Sequence, residues 1–305
     1  MSTISTNPAP ATSLSGTKTE RRMGSVHSQQ SASNILTYIL LVFGTLVVLV
    51  PLFWMISTSL KQEADLFILP PQIWPTPAQW HNYIDVWQIQ PLTQYFLNTL
   101  FITVLAMAGE ITTCAIVAYG FARFRFPGRN ALFVVMLGTM MLPSIITLIP
   151  TFLIWRDLQR IDTFTPLTIG ALFAWGPAYI FLLRQFFMTI PREIEEAAVM
   201  DGANPLQLFT QIMLPLVMPA LLAIGVLSFT GNWNNFQGPL IYINSPNLYP
   251  VILALYSFSE SLSKEAPKWH YMMAMTVMMS LPIVVLYFFA QRYFIEGLTV
   301  GSVKG

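Results

Sequence analysis

The sequence predicts an all-α polytopic membrane protein with six transmembrane helices and both termini in the cytoplasm. Three observations carry that prediction. Of 305 residues, 54% are hydrophobic and only 10% are charged, against about a quarter charged in soluble domains. After residue 34, every long stretch is either an apolar run of spanning length or a short connection between two such runs. The basic residues are unevenly shared, and Lys and Arg concentrate on the cytoplasmic side of a membrane. With the N-terminus inside, Lys18, Arg21, Arg22, Arg123, Arg125, Arg129, Arg184, Arg192, Arg292 and Lys304 fall inside. Lys61, Arg156, Arg160, Lys264 and Lys268 fall outside.

Taken in order, residues 1–33 are rich in Ser and Thr with few large apolar side chains, a composition that predicts disorder. Residues 34–305 form the membrane domain. Its spans are expected near 35–57, 96–121, 131–154, 167–187, 213–235 and 271–291, each a run of roughly 20 residues. The first apolar run is too long for a signal-peptide core and reads as a retained span. The outer segment from Lys61 to Tyr95 carries Pro70, Pro71, Trp74, Pro75, Pro77, Trp80 and Trp87. Proline discourages regular structure and tryptophan favours the membrane interface, so this loop is either an anchor or a surface for a soluble partner. Phe124 to Arg129 makes a basic inner turn, and residues 292–305 a short inner tail.

Composition excludes much else. A net charge of +1 gives no reason to invoke nucleic acid. One cysteine, Cys114, and three scattered histidines leave no disulfide framework and no metal cluster within the chain. Neither GxxxxGK[ST] nor GxGxxG occurs, so the chain is expected to bind no cofactor of its own and to hold no catalytic residue.

The most informative stretch is EEAAVMDGANPLQLFTQIMLP from Glu195 to Pro215, which overlaps the polar insert at about 188–214. Pro191 suits the first turn of a helix. Glu193, Glu195 and Glu196 follow where carboxylates complement the helix dipole. Ala197 and Ala198 favour helix and let another surface approach closely. Gly202 is the residue best able to end the helix in a left-handed cap. Asn204 and Pro205 read as the N-cap and first position of a second helix. The insert is a helix, a sharp turn and a helix that leads into a span.

Glu196-Ala197-Ala198, then Gly202, then Ile212-Met213-Leu214-Pro215 resembles the EAA–G–I-x-L-P signature of ABC importer permeases of the binding-protein-dependent type I class. The sequence is further similar to carbohydrate-uptake, maltose-type permeases at Phe181-Leu182-Leu183-Arg184-Gln185-Phe186-Phe187, Met141-Leu142-Pro143 and Gly231-Asn232-Trp233-Asn234. The tail from Gln291 to Gly305 matches as well, so the resemblance covers about residues 35–305. It implies a subunit of the prokaryotic cytoplasmic (inner) membrane, in contact with lipid. Its partners would be a second permease, two ATP-binding-cassette ATPase subunits that bind ATP and Mg, and an extracytoplasmic solute-binding protein. It also implies that Glu195, Glu196, Ala197, Ala198, Asp201 and Gly202 form the cytoplasmic coupling helix. The C-terminal residues Val303, Lys304 and Gly305 would reach the ATPase.

Two places break the apolar rule inside the spans. Glu110 lies midway along the second, where an ionisable group costs about 2.5–3.5 kcal/mol on insertion scales. It is either a pathway group facing a wet cavity or a packing partner to a Ser, Thr or Arg of another span. Asn232, Trp233, Asn234 and Asn235, in the outer half of the fifth span, would leave amides unpartnered in lipid. They should line a cavity or lock two helices together. Aromatic faces beside amides suit a neutral polyol. The resulting expectation is a permease for a sugar or oligosaccharide working by alternating access. The alternatives are a permease for another solute, such as glycerol phosphate or an osmolyte, and an ion-coupled secondary transporter with Glu110 carrying the proton.

Overall fold

A computed structural model of the chain describes residues 19–261 and 268–302, with side chains described over 34–259 and 268–291. The first of two compact units ends at Met55 and is one helix, α1 (Thr19–Ser59, running on into the second unit). Its apolar stretch begins at Asn34, and from Ile35 its large side chains face outward all round. That pattern suits a helix whose solvent is lipid rather than a core. The helix starts at Thr19, inside the segment expected to be disordered; residues 1–18 lie outside the described residues.

The second unit holds everything from Ile56 onward. The expected irregular outer loop contains a short helix, α2 (Asn82–Ile89). Its amide-bearing Asn82 ties it down by donating to the carbonyls of Ser59 and Lys61 at 2.8 and 3.0 Å. Val86 and the Trp87–Phe96 ring stack then fasten α2 to the next span. Before α2 the same segment leaves Phe67, Leu69, Ile73 and Trp80 exposed.

The long helix α3 (Leu92–Arg123) is the axis of the unit. Along it Thr99, Thr103, Ala106, Gly109, Ala115, Ala118 and Ala122 are buried, so small side chains let neighbouring backbones approach closely. The basic turn brings Gly128 into a left-handed conformation (φ 79°) and leads into α4 (Arg129–Thr139) and α5 (Ser144–Asp157). These two pass as a span only together, and they meet at 95°. The third span, expected as one run over 131–154, is two helices: Pro143 has no N–H to continue a helical ladder and serves as the N-cap of α5.

The fourth span, Thr165–Thr189, comprises α6 (Thr165–Thr168), a 3-10 segment (Ile169–Phe173) and α7 (Pro177–Thr189). The polar insert supplies α8 (Arg192–Met200) and α9 (Pro205–Gln207). A π-helical turn (Leu208–Met213), then α10 (Leu214–Leu216) and α11 (Met218–Trp233) follow. Pro205–Leu216 and Met218–Trp233 meet at 77°, so the fifth span is bent as well. The chain closes with α12 (Gln237–Tyr242), α13 (Val251–Ser261) and α14 (Trp269–Ser302), whose spanning part is Trp269–Gln291. Among the described residues there are four candidate spans and two bent helix pairs, which reach the expected six if each pair counts as one span.

Two apolar clusters hold the unit. One gathers Cys114, Ala118, Leu183, Phe187, Met213 and Ile224 around the lower half of α3, and it includes Ala198 of the polar insert. The other gathers Leu92, Trp233, Val251, Met275 and Met279 at the other end.

Candidate functional site: a docking loop and a polar cavity on one helix

The polar insert folds as its residues dictate. Gly202 sits at φ 87°, and the N–H of Ala203 reaches back to the carbonyl of Ala198 at 3.0 Å, closing α8. Asn204 accepts from the N–H of Gln207 at 2.9 Å, and the Gln207 side chain accepts from the N–H of Asn204 at 2.9 Å. That reciprocal pair is a capping box, which restarts the helix directly after the turn.

Of the six expected coupling residues, Glu196, Ala197, Asp201 and Gly202 face outward, whereas Ala198 is buried and Glu195 half-buried. Positions 195 and 198 are three apart and therefore share a helix face. Beside the outward face lies an open, largely apolar groove of about 500 Å³ between Ile194, Ala197, Ala203 and Ile212, with Glu193 and Asp201 on its rim.

Glu195 turns inward to a residue that sequence reasoning treated only as an orientation charge. Nε of Arg123 lies 2.6 Å from its Oε1, with the two side chains 7% and 18% exposed. The N–H does not point along that line, so the contact is an ion pair rather than an aligned hydrogen bond. Another nitrogen of the same guanidinium donates to the carbonyl of Ile190 at 2.7 Å, at the C-terminal cap of α7. A cation suits that end of a helix. No local signal marks this pairing, because its partners are far apart in the chain.

The second region is a cavity of about 410 Å³ lined by Glu110 of α3, Thr147 and Thr151 of α5, and Asn232, Asn235 and Gln237 after them. Trp155, Trp175 and Tyr242 supply its aromatic wall. Ser228 donates its hydroxyl to Oε2 of Glu110, and Asn232 lies 3.5 Å from the same oxygen while donating to the carbonyl of Ser228 at 2.9 Å. Glu110 therefore bridges α3 to α11 through Ser228 and is also among the residues that line the cavity. Asn235 accepts from the N–H of Gly238 at 3.1 Å, which fixes its amide at the cavity edge. Ala174 adopts a left-handed conformation (φ 55°), with its N–H donated to the Thr113 hydroxyl at 3.1 Å, and this turn presents Trp175.

The other two members of the expected pathway patch are elsewhere. Trp233 is 2% exposed, stacked on Phe229, and donates its indole N–H to the carbonyl of Met279. Asn234 is exposed and satisfied by the carbonyl of Thr230 at 3.0 Å. Neither lines the cavity. Val303, Lys304 and Gly305 lie outside the described residues. Among the described residues no group of His, Cys, Asp and Glu is arranged to hold a metal ion.

Residues 111–300 match the family described as binding-protein-dependent transport system inner membrane component. The chain is 32% identical over 257 residues to the probable ABC transporter permease protein YurM of Bacillus subtilis, covering 84% of this chain and 83% of that protein. It is 32% identical over 271 residues to the sn-glycerol-3-phosphate transport system permease protein UgpE of Pectobacterium atrosepticum, covering 87% and 95%. Among solved structures it is similar to a chain of a bacterial ABC transporter involved in the import of the acidic polysaccharide alginate. That match has TM-score 0.77 and 26% identity, over 87% of this chain and 98% of that one. Up to six candidate spans among the described residues, an EAA-type loop with its cap and turn formed, and these matches lead to one conclusion: the chain belongs to the binding-protein-dependent inner-membrane permeases of ABC transporters.

Proposed function

We propose that the chain, paired with a second permease, forms the passage for a neutral sugar or oligosaccharide through the inner membrane. Two copies of a separate ATPase bind ATP and Mg and drive the cycle, and an extracytoplasmic binding protein delivers the solute. Both termini are cytoplasmic. In this reading the exposed part of α8, with Glu196, Ala197, Asp201 and Gly202, seats in the ATPase, and Val303–Gly305 reach the same subunit. Transport follows rigid-body rearrangement around the cavity.

The observation that carries the solute class is the composition of the cavity wall. Its lining combines the amides of Asn232, Asn235 and Gln237 with the rings of Trp155, Trp175 and Tyr242, and Glu110 is its one ionisable side chain of the carboxylate or basic kind. Ring hydroxyls need donors and acceptors, and the apolar face of a sugar needs an aromatic surface. The UgpE relative favours a phosphate ester, yet the lining contains no Arg or Lys to pair with an anion. Ion-coupled secondary transport is set aside by the family.

The test is uptake into proteoliposomes containing the full transporter and its binding protein. Neutral oligosaccharides should be accumulated with ATP, and Asn235→Ala should reduce uptake about tenfold while leaving assembly intact. Uptake confined to phosphate esters or acidic oligosaccharides would overturn the neutral-sugar reading.

A further inference from the structure

α3 carries both functional regions. Glu110 faces the cavity and Arg123 ends the helix at the docking loop, thirteen residues or about 20 Å along one rigid rod. Between α7 and α8 the backbone at Ile190 and Pro191 is extended, with ψ of 126° and 143°, so the two helices are joined by a short non-helical link. Besides the packing of Ala198 into the apolar cluster, contacts across this link decide how far a displaced α8 carries the spans with it. Arg123 spans that link: one nitrogen holds the carbonyl of Ile190 on its α7 side, and Nε holds Glu195 on its α8 side. The guanidinium is almost entirely sheltered from solvent, so the attraction is weakly screened. Its planar fork can make both contacts at once, which an ammonium on a flexible stem does poorly.

We propose that Arg123 is the positioning residue that makes α8 and α3 move as one body, so that displacement of the docking helix reaches the cavity rather than being spent at the Ile190–Pro191 link. The upper end of the same path is the Glu110–Ser228 contact, through which α3 engages α11. This proposal rests on α8 being the element that the ATPase moves, and not on the identity of the solute.

The experiment therefore reads conformation instead of uptake. The single native cysteine, Cys114, is buried, so a cysteine introduced at the cavity-lining, exposed Thr147 reports on the cavity. In the complete transporter in vesicles, its labelling by an impermeant maleimide is measured with and without a non-hydrolysable ATP analogue. ATP turnover is measured in parallel. With Arg123 present, the analogue should change the labelling rate severalfold. Arg123→Ala and Glu195→Ala should each abolish that response while ATPase co-purification and turnover persist, and the double variant should be no worse than either alone. Arg123→Lys should keep part of the response. The exchanged pair Arg123→Glu with Glu195→Arg should restore more of it than Arg123→Glu alone. A response unchanged in Arg123→Ala overturns the proposal. So does a loss explained wholly by reduced ATPase binding, because the pair would then only shape the docking surface. Absence of sugar uptake by the unmodified transporter would count against the proposed solute and leave this result standing.

Discussion

The indole of Trp233 donates to the carbonyl oxygen of Met279 at 3.0 Å, tying the end of α11 to the middle of α14. With Phe229 stacked on it and Phe96 tilted against it, Trp233 is a core residue of the upper cluster. Trp233→Ala is expected to destabilise by about 3–5 kcal/mol, as large core truncations do. Thermal unfolding in detergent and the yield of assembled transporter should both fall. Trp233→Phe should lose only the hydrogen bond, about 1 kcal/mol. Normal stability with impaired uptake in Trp233→Ala would return the residue to the solute pathway.

Gly202 tests the proposed docking role of the α8–α9 insert. A Cβ added there meets no atom within 4 Å, so the cost of Gly202→Ala is the left-handed backbone alone, about 1–2 kcal/mol. Insertion and pairing with the second permease should survive. Gly202→Asp adds a second carboxylate beside Asp201 on the groove rim, so ATPase co-purification should fall in the order glycine, alanine, aspartate. Full ATPase association in Gly202→Asp would mean that this turn is not at the contact.

Gly109 is a packing test. A Cβ at this position would come 2.9 Å from a Leu172 side-chain carbon and 3.1 Å from backbone of Ala171. Leucine can move, but the backbone of the 3-10 segment has to shift. Gly109→Ala should overpack by about 1–3 kcal/mol, one residue from Glu110. A melting temperature equal to that of the unmodified protein would show that α3 is not pressed against this segment.

A pH-sensitive fastener lies outside the spans. Asp162 accepts from the Ser245 hydroxyl and from the N–H groups of Ser245 and Asn244 at 2.8 and 2.9 Å, and these bonds hold its pKa below the ordinary carboxylate value. A free Asp titrates near 3.9. Because the folded pKa is the lower one, the contribution is fully present above about pH 4 and is lost as pH falls through the folded value. Hydrogen exchange at the Asn244 and Ser245 amides should be slow at neutral pH and accelerate selectively below that range. Asp162→Ala, which removes the acceptor oxygens, should give fast exchange at every pH, whereas Asp162→Asn, which keeps one carbonyl acceptor, should remove the pH dependence. Exchange in the unmodified protein that does not change with this titration would sink the assignment.

Much of the docking loop was legible because its devices are local. Gly202 and the Asn204–Gln207 box each involve residues within a few positions, and backbone chemistry decides them without help from the fold. The cavity was only half legible. Adjacent helix residues point about 100° apart, so Asn232, Trp233 and Asn234 form one patch in the sequence and three directions in space. The third span was expected as one run over 131–154, and the 95° break between α4 and α5 went unread. The Arg123–Glu195 pair needed the tertiary structure, since either residue read alone suits a solvated helix end.

At the turn from α4 to α5, Met140, Met141 and Leu142 face outward, and the N-cap Pro143 offers the first turn of α5 no side-chain acceptor. Hydrocarbon satisfies no freed backbone group, and such turns persist at membrane depth only against protein or water. A copy lacking a neighbour at this corner is therefore a poor guest in the bilayer. Overproducing the chain alone is expected to raise its rate of proteolysis more than its abundance. Pulse-chase half-lives should lengthen when a second permease is co-expressed. The corner that shapes a passage would then also set the ratio in which the cell keeps the two subunits.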